Sequence, residues 1–250
     1  MPRKYAGPLM PGKRSAYVKG LRRNKRKQPP KTKQGLTRMI KNVTLKQCET
    51  KKSLFQQENI QFNHNTTLYI DKLFATTQGL ENPDGYNNDF TSNRVGDEII
   101  ARGAKFKFYL LNKQDRPNVH YHLYFFLYNT QLSGTALNDS QFWRGTDGAG
   151  GNMNRLVDTP NPERIKMIKT LKVGGNYTNA GAFNGKEKGH YREVWIPFNN
   201  RKIQYRKDGT NVPMGWDFGC AIVAYDQFSS GPLDNIASHA MSYCLYFKDP

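Results

Sequence analysis

Alternation with a period of two constrains this chain more than any other feature. Between Glu98 and Leu111, Ala104, Phe106, Phe108 and Leu110 alternate with Lys105, Lys107 and Tyr109. Successive side chains on a strand point to opposite faces, so one face is buried and the other meets water or a partner. The segment 112–118, with Pro117, ends that run. The next strand, His120 to Asn129, carries Tyr121, Leu123, Phe125 and Leu127 on one face and Tyr124, Phe126 and Tyr128 on the other, which predicts cover on both sides. Further strands are predicted at 164–173 (Ile165, Met167, Leu171 and Val173 on one face), 191–205, 216–226 and 239–248, with weaker ones at 54–62 and 66–76.

That pattern gives eight strands and no helix of convincing length; residues 136–145 are predicted to form one short helix in a connection. Fourteen Tyr, fourteen Phe and three Trp suit half-buried pleated surfaces, and 22 Gly with 13 Pro suit many turns. The connections 77–95, 130–162 and 174–190 are long, polar and rich in Gly and Asn. Compact domains rarely carry several such loops unless the loops act. The predicted fold class is all-β, a single eight-stranded jelly roll of two packed four-stranded antiparallel sheets. No internal repeat and no second folded domain is read.

Charge divides the chain unequally. The first 41 residues hold fourteen bases and no acid: Arg3, Lys4, Lys13, Arg14, Lys19, Arg22, Arg23, Lys25, Arg26, Lys27, Lys31, Lys33, Arg38 and Lys41. Residues 1–52 hold seventeen bases against Glu49, or +16; the whole chain is 38 − 20 = +18, so residues 53–250 carry only +2. Residues 1–41, with five Pro, four Gly and few large apolar groups, read as a disordered basic arm, and 42–250 as the jelly-roll domain. The arm is the candidate binding site for a nucleic acid. Fourteen neutralised phosphates on a single strand give a log–log salt slope of up to roughly −10. With Tyr5 and Tyr17 its only aromatics, the arm should bind by charge rather than by base stacking. Arg22, Arg23, Lys25, Arg26 and Lys27 also fit a nuclear localisation signal, with Lys13-Arg14 as a second cluster.

Cys48, Cys220 and Cys244 show no metal or redox spacing and read as reduced thiols, the last two as small apolar strand residues. No apolar run approaches the roughly 18 residues that cross a bilayer, and the basic N-terminus lacks the apolar stretch of a signal peptide. A protein that is soluble and intracellular during synthesis is expected, so the four Asn-x-Ser/Thr triplets at Asn42, Asn65, Asn138 and Asn176 read as chance.

Enzymatic readings have thinner support. His120 and His122 share a strand face and could hold a divalent metal, as in rolling-circle nickases. Those need a Tyr nucleophile followed three residues later by Lys, and the only such pair, Tyr69 and Lys72, precedes the histidines in a β-like context. The Gly148-Ala-Gly150-Gly151 cluster lacks the Lys and Ser/Thr of a phosphate loop. Asp147, Asp158 and Glu163 could form an acidic metal site, but pairing with Arg155 and Arg164 is the commoner fate of loop carboxylates. No Gly-x-Ser-x-Gly elbow is present. No catalytic residue, metal or cofactor is therefore assigned.

Several segments in order carry a resemblance: Arg94-Val-Gly-Asp-Glu-Ile99, Asn112-Lys-Gln-Asp-Arg-Pro-Asn118, Phe142-Trp-Arg-Gly145, Met153-Asn-Arg-Leu-Val-Asp158, Pro197 to Tyr205, Ile222 to Asp226, Asp234 to Ser238 and Tyr243 to Pro250. Together they resemble the capsid proteins of small circular single-stranded DNA viruses that encode a replication initiator, in the geminivirus-like more than the circovirus branch. The resemblance covers 94–250; the arm matches in character only. It implies an icosahedral shell of sixty copies (T=1) found in the virion, packaging circular single-stranded DNA on inward-facing arms. With the basic clusters, the expected locations are the virion and the host nucleus, and the expected host partners are nuclear import receptors and an attachment factor. Sixty arms of +16 supply about 960 charges, matched to on the order of a thousand nucleotides. Long loops would meet neighbours, and Trp143, Trp195 and Trp216 would serve as core or interface anchors. The competing reading is a soluble nucleic-acid-binding or movement protein that forms no shell.

Overall fold

Strand order defines this molecule. The computed structural model describes residues 32–48, 50–79, 93–116, 118–130, 137–144, 154–174, 189–206, 211–227, 230–231 and 234–249. Among them run a helix, α1 (Lys33–Gln47), and eight strands: β1 (Thr50–Asn63), β2 (Thr66–Ile70), β3 (Glu98–Asn112), β4 (Val119–Asn129), β5 (Ile165–Val173), β6 (Gly189–Gln204), β7 (Trp216–Asp226) and β8 (Asn235–Lys248). A one-turn helix, α2 (Asp139–Phe142), sits between β4 and β5. The chain divides into two units, Met1–Gln47 and Cys48–Pro250.

Within the second unit, β1 pairs with β8, β2 with β7, β3 with β6 and β4 with β5, all antiparallel. This is one long ribbon folded at the β4–β5 connection. Rolling the ribbon sets β8 beside β3 and β7 beside β4. Two sheets result, ordered β1-β8-β3-β6 and β2-β7-β4-β5. The fold is a jelly roll, as the alternation predicted.

The buried faces meet in one core. Ala104, Phe106, Phe108 and Leu110 are buried on β3, as predicted, while Lys107 and Tyr109 are exposed. Phe106 packs against Phe125 at 4.9 Å and Tyr243 at 4.8 Å between ring centres. Such pairs contribute about 0.5–1.5 kcal/mol beyond their area.

The double cover of β4 is also present. Its second face, Tyr124, Phe126 and Tyr128, joins Ala221 and Val223 of β7 under Leu137, Phe142, Trp143, Leu156 and Ile165. The described parts of the 130–162 connection thus fold down onto their own sheet rather than project from it. Asn138 caps α2 by accepting from Gln141 N at 3.1 Å, and Trp143 Nε1 donates to Thr67 Oγ1 at 2.9 Å. Arg155 fastens the return, reaching Asp158 at 2.7 Å and Asp139 at 2.9 Å.

Four expectations need correction. Residues 33–47 are helical, where composition predicts disorder over 33–41 and no helix of convincing length. Thr32 Oγ1 accepts from Gly35 N and starts the helix, which carries four bases and no acid. The sandwich accordingly starts at Cys48 rather than at residue 42. The second strand stops at Ile70, because Lys72 turns left-handed at φ 56° and Asp217 Oδ1 accepts from Phe74 N at 3.0 Å to hold the turn. Finally, β5 does not present one apolar face. Its register against β4 slips between Phe125 and Phe126, so Ile165 and Met167 share the outer face with Tyr128 and Phe126, and Leu171 and Val173 the inner. A bulge of this kind reverses the side-chain sense and escapes a period-two count.

Candidate nucleic-acid interface

The predicted binding residues fall in two groups. Arg3, Lys4, Lys13, Arg14, Lys19, Arg22, Arg23, Lys25, Arg26, Lys27 and Lys31, including the whole candidate import signal, lie outside the described residues. Lys33, Arg38 and Lys41 are carried on α1 together with Lys46. Leu36, Met39, Ile40 and Val43 form an exposed stripe along the same helix at 3-4-7 spacing. That spacing is readable in the sequence, but the density of bases around it hid the signal.

The jelly roll offers a second basic surface. The outer face of the β2-β7-β4-β5 sheet is covered by the connection described above. On the outer face of the β1-β8-β3-β6 sheet, cross-strand registers set side chains in rows. Leu54, Cys244, Lys105 and Trp195 form one row; Gln56, Ser242, Lys107 and Glu193 form the next; Ala240, Tyr109 and Tyr191 follow. Lys52 stands opposite Tyr246, and Lys202 opposite Ile100. With Arg102, exposed at a bulge of β3, this face holds five bases.

Among its acids, Glu193 and Glu98 are paired. Glu193 meets Lys105 at 2.7 Å, and Glu98 pairs with Lys202. The Lys105 bond holds the Glu193 carboxyl below its usual range and raises the ammonium in return. Lys52, Arg102 and Lys107 leave the face positive. Tyr109, Tyr191 and Trp195 are each about half exposed among these bases. The sequence signal was the polar half of the β3 alternation, Lys105, Lys107 and Tyr109, already assigned to water or a partner.

The other candidate residues are placed as follows. His120 and His122 lie on the outer face of β4, where His122 is buried and its Nδ1 is 3.1 Å from Tyr124 Oη. Burial, then Lys172 and His120, push the His122 pKa down to about 4, so the ring is neutral and packed. Tyr69 donates to Asp139 at 2.7 Å and burial pushes its phenol well up, the reverse of an activated nucleophile. Asp158 is held by Arg155, Glu163 lies on a turn, and Asp147 and residues 148–151 fall outside the described residues. No group of three metal-ligating side chains occurs among the described residues. Trp143 is buried; Trp195 and Trp216 are about half exposed. None of the three cysteines is in a disulfide, and no described helix is long and apolar enough to cross a membrane.

No protein-family model matches the chain, and no curated protein matches it in sequence. Among solved structures the chain is similar to one of desmodium yellow mottle tymovirus, at 10% identity over 81% of this chain and 82% of that one, with a TM-score of 0.32. It is similar as well to the Gx strain of infectious bursal disease virus, at 6% identity over 79% of this chain and 32% of that one, TM-score 0.26. The T13 particle of the same virus gives 11% identity over 81% and 40%, TM-score 0.22. At such scores these likenesses add nothing to the strand order, on which the fold rests.

Proposed function

We propose that this chain is a viral capsid protein that assembles into an icosahedral shell and packages single-stranded DNA through its basic N-terminal arm. One observation carries the reading: +15 is concentrated in residues 1–47, while the remaining 203 residues, the jelly roll among them, carry only +3. A nearly neutral sandwich can approach copies of itself, whereas a dense cationic segment needs a polyanion to offset its self-repulsion. Assembly and packaging are therefore coupled. The shell has sixty copies, and the arm also serves nuclear import through Arg22, Arg23, Lys25, Arg26 and Lys27. No catalytic step is assigned to the protein.

Electron microscopy of recombinant protein tests this. Uniform particles about 20 nm across, the scale of sixty compact domains of this size, with nuclease-protected DNA inside, are the expected result. Purified protein that stays monomeric with DNA present overturns it.

A further inference from the structure

We propose that the outer face of the β1-β8-β3-β6 sheet binds the bases of a single-stranded nucleic acid, with Trp195 and Tyr246 as the stacking surface. This rests on the packaging role proposed above. Trp195 and Tyr246 occupy neighbouring rows, and their rings lie 5.5 Å apart at 59°. With Thr50, Arg102, Asn199 and Asn200 they line a cleft of about 400 Å³, a volume in the range of small-ligand sites.

Each part of the lining suits a nucleotide. Trp195 presents an indole that is about half exposed, and the Lys52 ammonium lies 5.8 Å from the Tyr246 ring centre. Asn199 and Asn200 are both left-handed, at φ 53° and 59°, which bends β6 and brings two amides to the cleft edge. Amides supply both donors and acceptors for base edges. Arg102 and Lys52 supply charge for phosphate, and Glu193 and Glu98 of the same face are already paired to lysines.

Aromatic faces set in a basic groove are how single strands are held without sequence preference, because every base has a π-face. A protein partner fits less well. Interface cores are poor in Lys, and a second copy of the same face would oppose like charges. Covalent continuity points the same way. The basic segment joins the sandwich at Cys48, two residues before Thr50 of the cleft.

Binding of a 16-nucleotide oligo(dT) by full-length unassembled protein, followed by anisotropy across a salt series, tests the cleft. Trp195→Ala should weaken binding about tenfold, the scale of one lost stack, at every salt concentration, with the log–log slope unchanged. Trp195→Phe should recover most of the loss, and Tyr246→Leu should repeat it if the first variant folds poorly. A 16-base-pair duplex, whose bases are already stacked, should bind parent and Trp195→Ala alike. Unchanged oligo(dT) affinity in both variants, or an equal loss on the duplex, overturns the cleft and leaves the arm standing. A parent protein that binds no oligonucleotide overturns the packaging reading and the cleft with it.

Discussion

The indole of Trp195 closes over Gly103: a Cβ at that position would stand 2.2 Å from the ring. Gly103 follows the bulge at which β3 shifts register against both β6 and β8. Here glycine is set by a close approach rather than by a backbone angle. Gly103→Ala should swing the half-exposed ring outward at a cost of about 1 kcal/mol. The measurable result is a red shift in tryptophan emission with the sheet signal intact. Emission that does not move would show the ring to be elsewhere in solution.

Arg94, first residue of a segment that carried the family resemblance, is fully buried. Its guanidinium carbon lies 4.1 Å from the Tyr205 ring centre; Nη1 donates to Gly96 O at 2.5 Å and Nε to Thr76 O at 3.4 Å. Tyr205 in turn donates to Phe74 O at 2.7 Å. Arg94→Ala strips several buried acceptors at once and should cost about 3 kcal/mol in urea unfolding. A loss under about 1 kcal/mol, the scale of an exposed pair, would mean that water replaces the side chain freely.

Burial pushes the Asp217 carboxyl up to about 6 although Phe218 N, Phe74 N and Tyr128 hold it. With a folded pKa above the unfolded one, its stabilising share is present below pH 4 and lost as pH rises through 6, by roughly 2–3 kcal/mol. Asp217 Oδ1 accepts both backbone N–H groups, so an amide can keep them. Asp217→Asn should match the parent at pH 4.5 and exceed it at pH 8. Equal stability at both values would place the folded pKa near its ordinary value.

His239 works in the opposite direction. Stacked on Phe62 at 4.7 Å and buried in the core, its pKa falls to about 4. Its share of stability is intact above pH 6.5 and lost as pH falls toward 4. His239→Leu should therefore lower the acid sensitivity between pH 7 and 4.5 by on the order of 2 kcal/mol. An unchanged pH profile would show that the ring escapes its pocket when protonated.

Much of the fold was legible because burial follows backbone period. Phe106, Phe108 and Leu110 could alternate with Lys107 and Tyr109 only on a strand with one wet face. What escaped was whatever breaks that period. The slip at Phe125–Phe126 put Ile165 on the opposite face from Val173, and the turn at Lys72 ended β2 early despite apolar Leu73 and Phe74. Helix α1 escaped because charge and proline density argued for disorder while Leu36, Met39, Ile40 and Val43 quietly kept helical spacing. The cleft was half visible: Lys105 and Tyr109 marked the face, but Trp195 and Tyr246 are brought together only by sheet order, which local pattern does not encode.

The helix makes the charge count of the arm testable in pieces. Residues 1–47 hold fifteen bases and no acid, eleven of them before Thr32 and four on α1. At about 0.7 counterions per neutralised phosphate on a single strand, the full segment predicts a salt slope near −10 and α1 alone one near −3. Removing residues 1–32 should lower the magnitude of the measured slope by about 8, the share of the eleven bases lost, and removing 1–47 should lower it by about 3 more, to what Lys52, Arg102 and Lys107 supply. The sheet signal in circular dichroism should survive both truncations, since every described strand lies beyond Cys48. A slope that hardly changes on losing 1–32 would place the polyanion contacts on the sandwich and remove the arm from packaging.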